Sequence, residues 1–234
     1  MSTGGAHSRA RGTVGIGRPP RGRVELGLRT RVIAPLTSGS RGGLLDEAAA
    51  VGDEPVDLVE WRADSMVRAL AGSSFAAAPD LVGELTATAG SLLGASTLPL
   101  IATVRTSSEG GAAHLDDSEY CALVASLAGM ADAVDVEIGR EGAPDLVREA
   151  QRAGARVIAS HHDFGGTPGD EELAGVLAAM NHAGADVLKI ACAPRSGGDV
   201  ARVLTAGAWA REAYDRPVIA IAMGRLGGPT RFAG

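Results

Sequence analysis

The chain has 234 residues, of which 45% are apolar and only 3% aromatic, and its net charge is −6. This length suits one α/β domain with a core of Ala, Val, Leu and Ile, and the acidic balance argues against a nucleic-acid binder. No apolar run approaches the ~20 residues of a membrane span, and two cysteines are too few for a disulfide scaffold, so we expect a cytoplasmic protein without membrane or nucleic-acid partners.

The N-terminal segment, residues 1–23, contains five arginines, several glycines and no acidic residue. It lacks the apolar stretch of a secretory signal. We predict a disordered Arg/Gly-rich segment here, with a transit peptide as the alternative, and a single domain over residues 24–234.

From about residue 30 the chain alternates short β-branched runs with Ala-rich helical stretches. The predicted strands are Val32–Leu36, Val56–Trp61, Leu100–Val104, Ala133–Ile138, Val157–Ser160, Val187–Ala191 and Pro217–Ala222, and the predicted helices lie near 44–51, 80–93, 117–130, 143–153, 170–183 and 198–213. Each crossover is long enough for a helix, so the sheet should be parallel. Asp116 and the Thr167-Pro168 pair mark helix starts, whereas Gly154 and Gly184 mark helix ends.

Two architectures fit this alternation, a doubly wound open sheet and an eight-stranded barrel. A dinucleotide-binding doubly wound sheet needs a Gly-rich turn after its first strand, and residues 35–40 contain no such motif. The barrel is favoured because charged or reactive side chains fall within or just after almost every predicted strand. These residues are Glu60, Arg62, Asp64, Arg105, Glu109, Asp135, Glu137, His161, His162, Asp163, Lys189 and Arg231.

Lys189 is the only lysine of the chain and lies in an apolar, strand-like run. Burial disfavours the charged form of an amine, and a neutral lysine is a nucleophile that can form a Schiff base with a ketone. The alternative is a lysine whose stem packs in the strand while its head reaches solvent.

Two adjacent histidines, His161 and His162, follow the strand predicted before that of Lys189. Alternation along a strand sends their side chains to opposite sides, so at most one should face a site, where it could act as a general base. Neighbouring strands lie about 4.8 Å apart, so a histidine and the lysine can reach one small ketone. Metal binding is the alternative, but adjacent histidines on a strand cannot easily hold one ion, and we expect no metal.

Carboxylates and arginines complete the pattern. Asp135 and Glu137 share one face of an otherwise apolar strand, where acids are costly unless paired, and this favours a functional role. Glu60 and Arg62 also share a face, and either a structural ion pair or a substrate clamp explains them. The arginines predict an anionic substrate, most naturally a carboxylate. A Schiff-base lysine beside a general base fits a lyase or an aldolase.

In this combination and order, the segments resemble type I 3-dehydroquinate dehydratases over about residues 30–234. The matching segments are Glu60-Trp61-Arg62-Ala63-Asp64, Arg105 with Glu109-Gly110-Gly111, Val134-Asp135-Val136-Glu137, Ser160-His161-His162-Asp163-Phe164 with Thr167-Pro168, Gly184-Ala185-Asp186 through Lys189-Ile190-Ala191, and Met223-Gly224 through Thr230-Arg231.

The resemblance implies a (β/α)8 barrel of the shikimate pathway, which leads to aromatic amino acids, with no cofactor and commonly a homodimer. It implies that Lys189 condenses with the ketone of 3-dehydroquinate. It further implies that His162, oriented by Glu109, removes a proton and then protonates the departing hydroxyl to give 3-dehydroshikimate. The residues implied for substrate binding are Glu60, Arg62, Arg105, Asp135, Glu137, Met223 and Arg231, the last as partner of the carboxylate.

The family pattern continues beyond residue 234 with an eighth strand, a loop over the carboxylate and a last helix. We therefore expect seven strands here, with unpaired edges on the first and the last. Residues 12–27 fit better as a hairpin that caps the base of the barrel than as the eighth strand. Two alternative functions remain open. One is a weakly active or inactive remnant of that enzyme, and the other is a Schiff-base aldolase with a phosphate site at Gly224, Gly227 and Gly228.

Overall fold

The computed structural model describes residues 12–52, 54–71 and 80–232. The strands are β1 (Val14–Ile16), β2 (Val24–Leu26), β3 (Ile33–Leu36), β4 (Leu58–Arg62), β5 (Leu100–Thr103), β6 (Ala133–Glu137), β7 (Arg156–Asp163), β8 (Val187–Cys192) and β9 (Val218–Ala222). The α-helices are α1 (Arg41–Val51), α2 (Ala63–Ala71), α3 (Leu81–Ala95), α4 (Asp117–Ala128), α5 (Ala143–Arg152), α6 (Asp170–His182) and α7 (Gly197–Tyr214), and two 3₁₀ turns span Ser107–Glu109 and Gly228–Phe232.

The main sheet has seven parallel strands in the order in which they occur along the chain, β3 to β9. A doubly wound sheet reverses its strand order at a switch point, whereas a barrel adds strands in sequence, so this order defines the curled sheet of a barrel. The predicted parallel barrel-type fold is thereby confirmed. Within the described residues β3 and β9 form the two edges of the sheet.

The outer face of the sheet packs against the helices. Outward residues of the strands such as Trp61 and Val134 join a buried cluster with helix residues such as Leu85 and Leu123, and the strands β7 to β9 pack in the same way against α6 and α7. Burial of these aliphatic side chains is the main favourable contribution to folding. Because the helices cover the outer face, the inner face of the sheet can carry polar side chains.

The base of the sheet is closed by a hairpin that precedes it. Strands β1 and β2 pair antiparallel, and Val14 and Ile16 pack beneath the inward residues at the amino ends of the strands, including Ile101 and Val187. The hairpin is attached by Asp132, whose carboxylate accepts hydrogen bonds from the Arg18 backbone N–H at 2.8 Å and from Arg21 Nε at 2.9 Å.

Several local predictions hold. Asp116 forms a capping box with Glu119 at the start of α4. Gly154 and Gly184 follow α5 and α6 with φ of +94° and +83°, a conformation in which other residues are strained. The Thr167-Pro168 prediction is wrong in detail, because α6 begins at Asp170 after the N-cap Gly169, and the proline therefore lies ahead of the helix.

Two further predictions need correction, and one helix was not predicted. Residues 12–23, assigned to a disordered segment, belong to the hairpin; the rest of that segment, 1–11, lies outside the described residues. The strand predicted as Val157–Ser160 runs on through both histidines to Asp163. Helix α2, which follows β4 without a turn, was not predicted. No helix in the described ranges is long and apolar enough to cross a bilayer.

Candidate active site

The strand register stacks the inward side chains in layers. Lys189 is paired with Ser160, which in turn lies opposite Glu137, so these three side chains face the same side of the sheet. The layer beneath them is apolar and packs on the hairpin. The polar groups are therefore confined to the carboxyl ends of the strands, where barrel enzymes place their active sites.

Lys189 is inward-facing, and its side chain is only 14% exposed. Its Nζ donates to Asp135 Oδ2 at 3.0 Å and lies 3.6 Å from Glu60 Oε1. Glu60 is held in turn by the Thr103 hydroxyl, which donates to Oε1 at 2.8 Å. The alternative of a lysine that extends into solvent is excluded, because the amine lies between two carboxylates.

Asp135 connects the lysine to a buried arginine. Its Oδ1 accepts from Arg105 Nη2 at 2.6 Å and from the Ser160 hydroxyl, and its side chain is 1% exposed. Burial alone would raise the pKa of Asp135, but the charges of Arg105 and Lys189 outweigh it and hold that pKa well below its usual value. Asp135 is thus a permanent carboxylate at the centre of the site.

Arg105 is the hub of this network. Its Nη1 donates to Glu109 Oε2 at 2.9 Å, to Glu137 Oε1 at 3.2 Å and to Ser160 Oγ at 3.1 Å. Burial would lower the pKa of Arg105, yet the surrounding carboxylates raise it above its ordinary value. The guanidinium therefore lies buried among the side chains of the inner face, with its hydrogen bonds directed at protein groups.

Glu109 and His162 form a direct pair. Glu109 Oε2 lies 3.0 Å from His162 Nδ1 and also accepts the backbone N–H of His162 at 3.2 Å. Burial raises the pKa of Glu109 to about 7, against the opposing charge of Arg105. Burial, helped by Arg105, lowers the pKa of His162 to about 3, so the imidazole is neutral at neutral pH. When Glu109 is ionised, it accepts the Nδ1 proton and leaves Nε2 as the basic nitrogen.

His161 follows the expected alternation along β7, yet its ring also approaches Glu109. Its Nδ1 lies 3.8 Å from Glu109 Oε1, and its side chain is 26% exposed. The two histidines do not face unrelated environments, because both approach the same carboxylate from consecutive positions at the strand end. Only His162 shares the inner face with Lys189.

The other predicted residues are placed around this centre. Arg62 donates two hydrogen bonds to Asp64, at 2.9 and 3.0 Å, so its ion pair is with Asp64 and not with Glu60. Met223 follows β9 and is partly buried. Arg231 is exposed in the last 3₁₀ turn, and within the described residues no hydrogen bond or ion pair connects it to the cluster.

Three contributors were not predicted as site residues. Ser160 bridges Arg105 and Asp135, and it could have been found because it lies two residues before His162 on the same face. Thr106 donates its backbone N–H and its hydroxyl to the two oxygens of Glu137, at 2.8 and 2.7 Å. Arg140 pairs with Glu137 at 3.0 Å, and its position in a turn carries no periodic signal.

A cavity of about 340 Å³ lies at the base near the hairpin, lined among others by Arg18, Asp132 and Arg156, and it includes none of the residues above. In the ranges that the structure covers, no three His, Cys, Asp or Glu side chains are grouped as ligands of a metal ion. The inner-face cluster is therefore the site with the strongest chemical content.

The fold and the site together define a barrel-type α/β enzyme that carries an amine, a base and several carboxylates on the inner face of its sheet. The model of a family described as type I 3-dehydroquinase matches residues 32–234. The chain therefore belongs to the type I 3-dehydroquinase family.

Relatives of known activity agree with this assignment. A 3-dehydroquinate dehydratase of Klebsiella pneumoniae subsp. pneumoniae is 36% identical over 212 residues, which cover 88% of this chain and 80% of the relative. The crystal structure of 3-dehydroquinate dehydratase from Geobacillus kaustophilus has a TM-score of 0.79 at 32% identity, covering 88% of this chain and 79% of that one. A type I 3-dehydroquinate dehydratase from Clostridium difficile, solved with covalent modified comenic acid, has a TM-score of 0.82 at 27% identity, covering 94% and 84%.

Proposed function

We propose that the chain dehydrates 3-dehydroquinate to 3-dehydroshikimate through a Schiff base on Lys189, with His162 as general acid and base. The observation that carries the proposal is that Lys189 and His162 lie on adjacent strands and share the inner face, with Glu109 3.0 Å from His162 Nδ1. The type I family match supports the reaction, and the buried environment of the amine supports the mechanism.

The first step is attack of Lys189 Nζ on the ketone carbon of the substrate, after the ammonium has given one proton to Glu60, whose Oε1 lies 3.6 Å away. A carbinolamine forms, loses water and becomes an imine, which is protonated to the iminium ion. Asp135 and Glu60, at 3.0 and 3.6 Å from Nζ, lie where they can stabilise that cation, and Glu60 can return the proton. The iminium then withdraws electrons from the adjacent carbon.

The second step is proton removal from that carbon by His162 Nε2. The electron pair of the C–H bond moves into an enamine, and the imidazolium that forms is stabilised by the carboxylate of Glu109 on Nδ1, as in other acid–histidine pairs. His162 then gives its proton to the leaving hydroxyl, which departs as water. The electron pair of the enamine forms the new carbon–carbon double bond and regenerates the iminium ion. Hydrolysis of the conjugated iminium releases 3-dehydroshikimate and restores Lys189.

The binding roles divide according to exposure. Glu60, Arg62 and Met223 are partly exposed at the inner rim, and we assign them to direct contact with the substrate, with Arg231 as partner of its carboxylate. Buried Asp135, Glu137 and Arg105 contribute by fixing the charge and position of Lys189 and Glu109. Arg105 therefore supports the substrate site through its neighbours.

Borohydride trapping tests the mechanism sharply, because Lys189 is the only lysine in the chain. The purified chain is incubated with 3-dehydroquinate and borohydride, and its intact mass is measured. We expect one reduced substrate adduct in the wild type and none in Lys189→Met, the N-terminal amine being the only other primary amine. The matched control is Arg195→Met, which removes an exposed cation near α7 and should leave the adduct unchanged.

Two results would contradict the proposal. An adduct that persists in Lys189→Met would show that another group is the nucleophile. Trapping by phosphorylated aldoses in place of 3-dehydroquinate would favour the aldolase alternative.

We also propose that the enzyme is a homodimer, since the family commonly forms dimers. We propose a cytoplasmic location because the two cysteines are unpaired in the structure. Sedimentation equilibrium of the purified chain tests the oligomeric state.

A further inference from the structure

Arg140 lies in the turn after β6 and joins three separate segments above the carboxyl ends of the strands. Its Nε donates to Glu137 Oε2 at 3.0 Å and its Nη1 to Asp117 Oδ1, at the start of α4, at 2.9 Å. Its Nη2 donates to the hydroxyls of Thr106 and Ser108, the latter at 3.0 Å. The side chain is 15% exposed, and its Cζ lies 5.3 Å from the centre of the Tyr120 ring.

Arg140 is hydrogen-bonded to the short turn that carries Glu109. The Glu109 backbone N–H donates to the carbonyl of Thr106 at 3.0 Å, so the position of Thr106 sets the position of Glu109. Thr106 is held from below by Glu137 and from above by Arg140, and Ser108 bonds Thr106 at 2.9 Å. A continuous chain of contacts thus runs from Arg140 through Thr106 to Glu109 and on to His162.

We propose that Arg140 is a positioning residue for the reaction: it fixes the turn 106–109 so that Glu109 stays against His162 Nδ1. The inference rests on the proposed function, since Arg140 would hold in place Glu109, the acid that orients the general base His162. A guanidinium suits the task because its planar fork can serve acceptors on several segments at once, which a lysine cannot do. Among the described residues Arg140 has no hydrogen bond or ion pair with Lys189 or His162, so it acts through Thr106, Ser108 and Glu137.

The test compares Arg140→Gln and Arg140→Lys with Arg21→Gln. Arg21 is the matched control, because its side chain is 12% exposed and its ion pair with Asp132 lies at the base of the sheet. We expect Arg140→Gln to lower kcat about 10- to 100-fold with KM changed less than about threefold, since small displacements of a catalytic pair are costly while substrate contacts remain. Arg140→Lys should restore part of the loss, and Arg21→Gln should keep kcat within about twofold of the wild type.

A double-mutant cycle with Glu109→Gln shows whether Arg140 acts through Glu109. If it does, adding Arg140→Gln to Glu109→Gln should lower kcat by no more than about twofold. Suppose that the wild type turns over and forms the Lys189 adduct. The inference is then overturned if Arg140→Gln lowers kcat as much in the Glu109→Gln background as in the wild type, or if kcat of Arg140→Gln equals that of Arg21→Gln. Absence of turnover and adduct in the wild type would instead overturn the proposed function, and this inference with it.

Discussion

Replacement of Asp135 by asparagine tests the central idea that a buried carboxylate holds the inner face together. Asp135 is 1% exposed and contacts Arg105 at 2.6 Å and Lys189 at 3.0 Å. Asparagine keeps the shape of the side chain but removes its charge. Two buried cations are then left facing a neutral amide, with part of their compensation lost.

The expected cost is large. Removing one partner of a buried ion pair costs about 3–5 kcal/mol, a substantial share of a typical total stability of about 5–15 kcal/mol. For a domain of this size that corresponds to a fall in Tm of roughly 6–20 °C. Because the pKa of Asp135 is held below its usual value, its stabilisation is present above the ordinary aspartate pKa and is lost as the pH falls through the depressed folded value. The difference between wild type and Asp135→Asn should therefore shrink as the pH falls below about 4.

The assay is urea and thermal unfolding followed by circular dichroism at pH 7 and again at lower pH. Asp145→Asn is the control, because its partner Arg148 lies on the exposed face of α5 and no measurable change is expected. A Tm for Asp135→Asn within about 2 °C of the wild type would refute the reasoning, since it would show that Arg105 and Lys189 do not depend on this charge.

Two further predictions concern the Glu109–His162 pair. The folded pKa of His162, about 3, is lower than its ordinary value, so its contribution to stability is present above about pH 6.5 and is lost as the pH falls toward 3. Relative to His162→Asn, the free energy of unfolding of the wild type, measured with urea, should fall by up to about 1.4 kcal/mol per pH unit in that window. Parallel plots of unfolding free energy against pH for the two proteins would contradict this. Gly110→Ala should lower the free energy of unfolding by about 1–2 kcal/mol and lower kcat, because Gly110 has φ +76° and a Cβ there would lie 2.2 Å from the Phe164 ring. The control is Gly175→Ala, where a Cβ on α6 meets open space. Equal unfolding curves for the two variants would count against this account.

The sequence predicted the elements whose signal is periodic. Seven parallel strands and six helices follow from apolar runs, alternation and caps, and the inward direction of Asp135, Glu137 and Lys189 follows from strand parity. A hairpin at the base of the barrel was expected, but residues 12–23 were still assigned to a disordered segment, because the strands are three residues long and the arginines resemble an unstructured segment. Arg18 and Arg21 are held by Asp132 and by the carbonyls of Ala128 and Ala131, more than 100 residues away.

The site could be predicted only where its residues lie on strands. Lys189 and His162 meet because their strands are neighbours, which the alternation of elements implies. Arg140 and Thr106 lie in turns, where no periodicity fixes a direction, and their contacts depend on how three loops fold over the sheet. The Arg62–Asp64 pair was missed for a similar reason, since Asp64 lies in α2, an unpredicted helix that follows β4 without a break.

The hairpin that closes the base has a consequence for the order in which the chain acquires structure during synthesis. Val14 and Ile16 are synthesised long before Val187, which is one of their packing partners. At about 5–20 residues per second, the ~170 residues between them take roughly 9–34 s to emerge. During that interval the native surface that covers the apolar side chains of β1 is incomplete, so β1 is exposed to non-native association in the nascent chain.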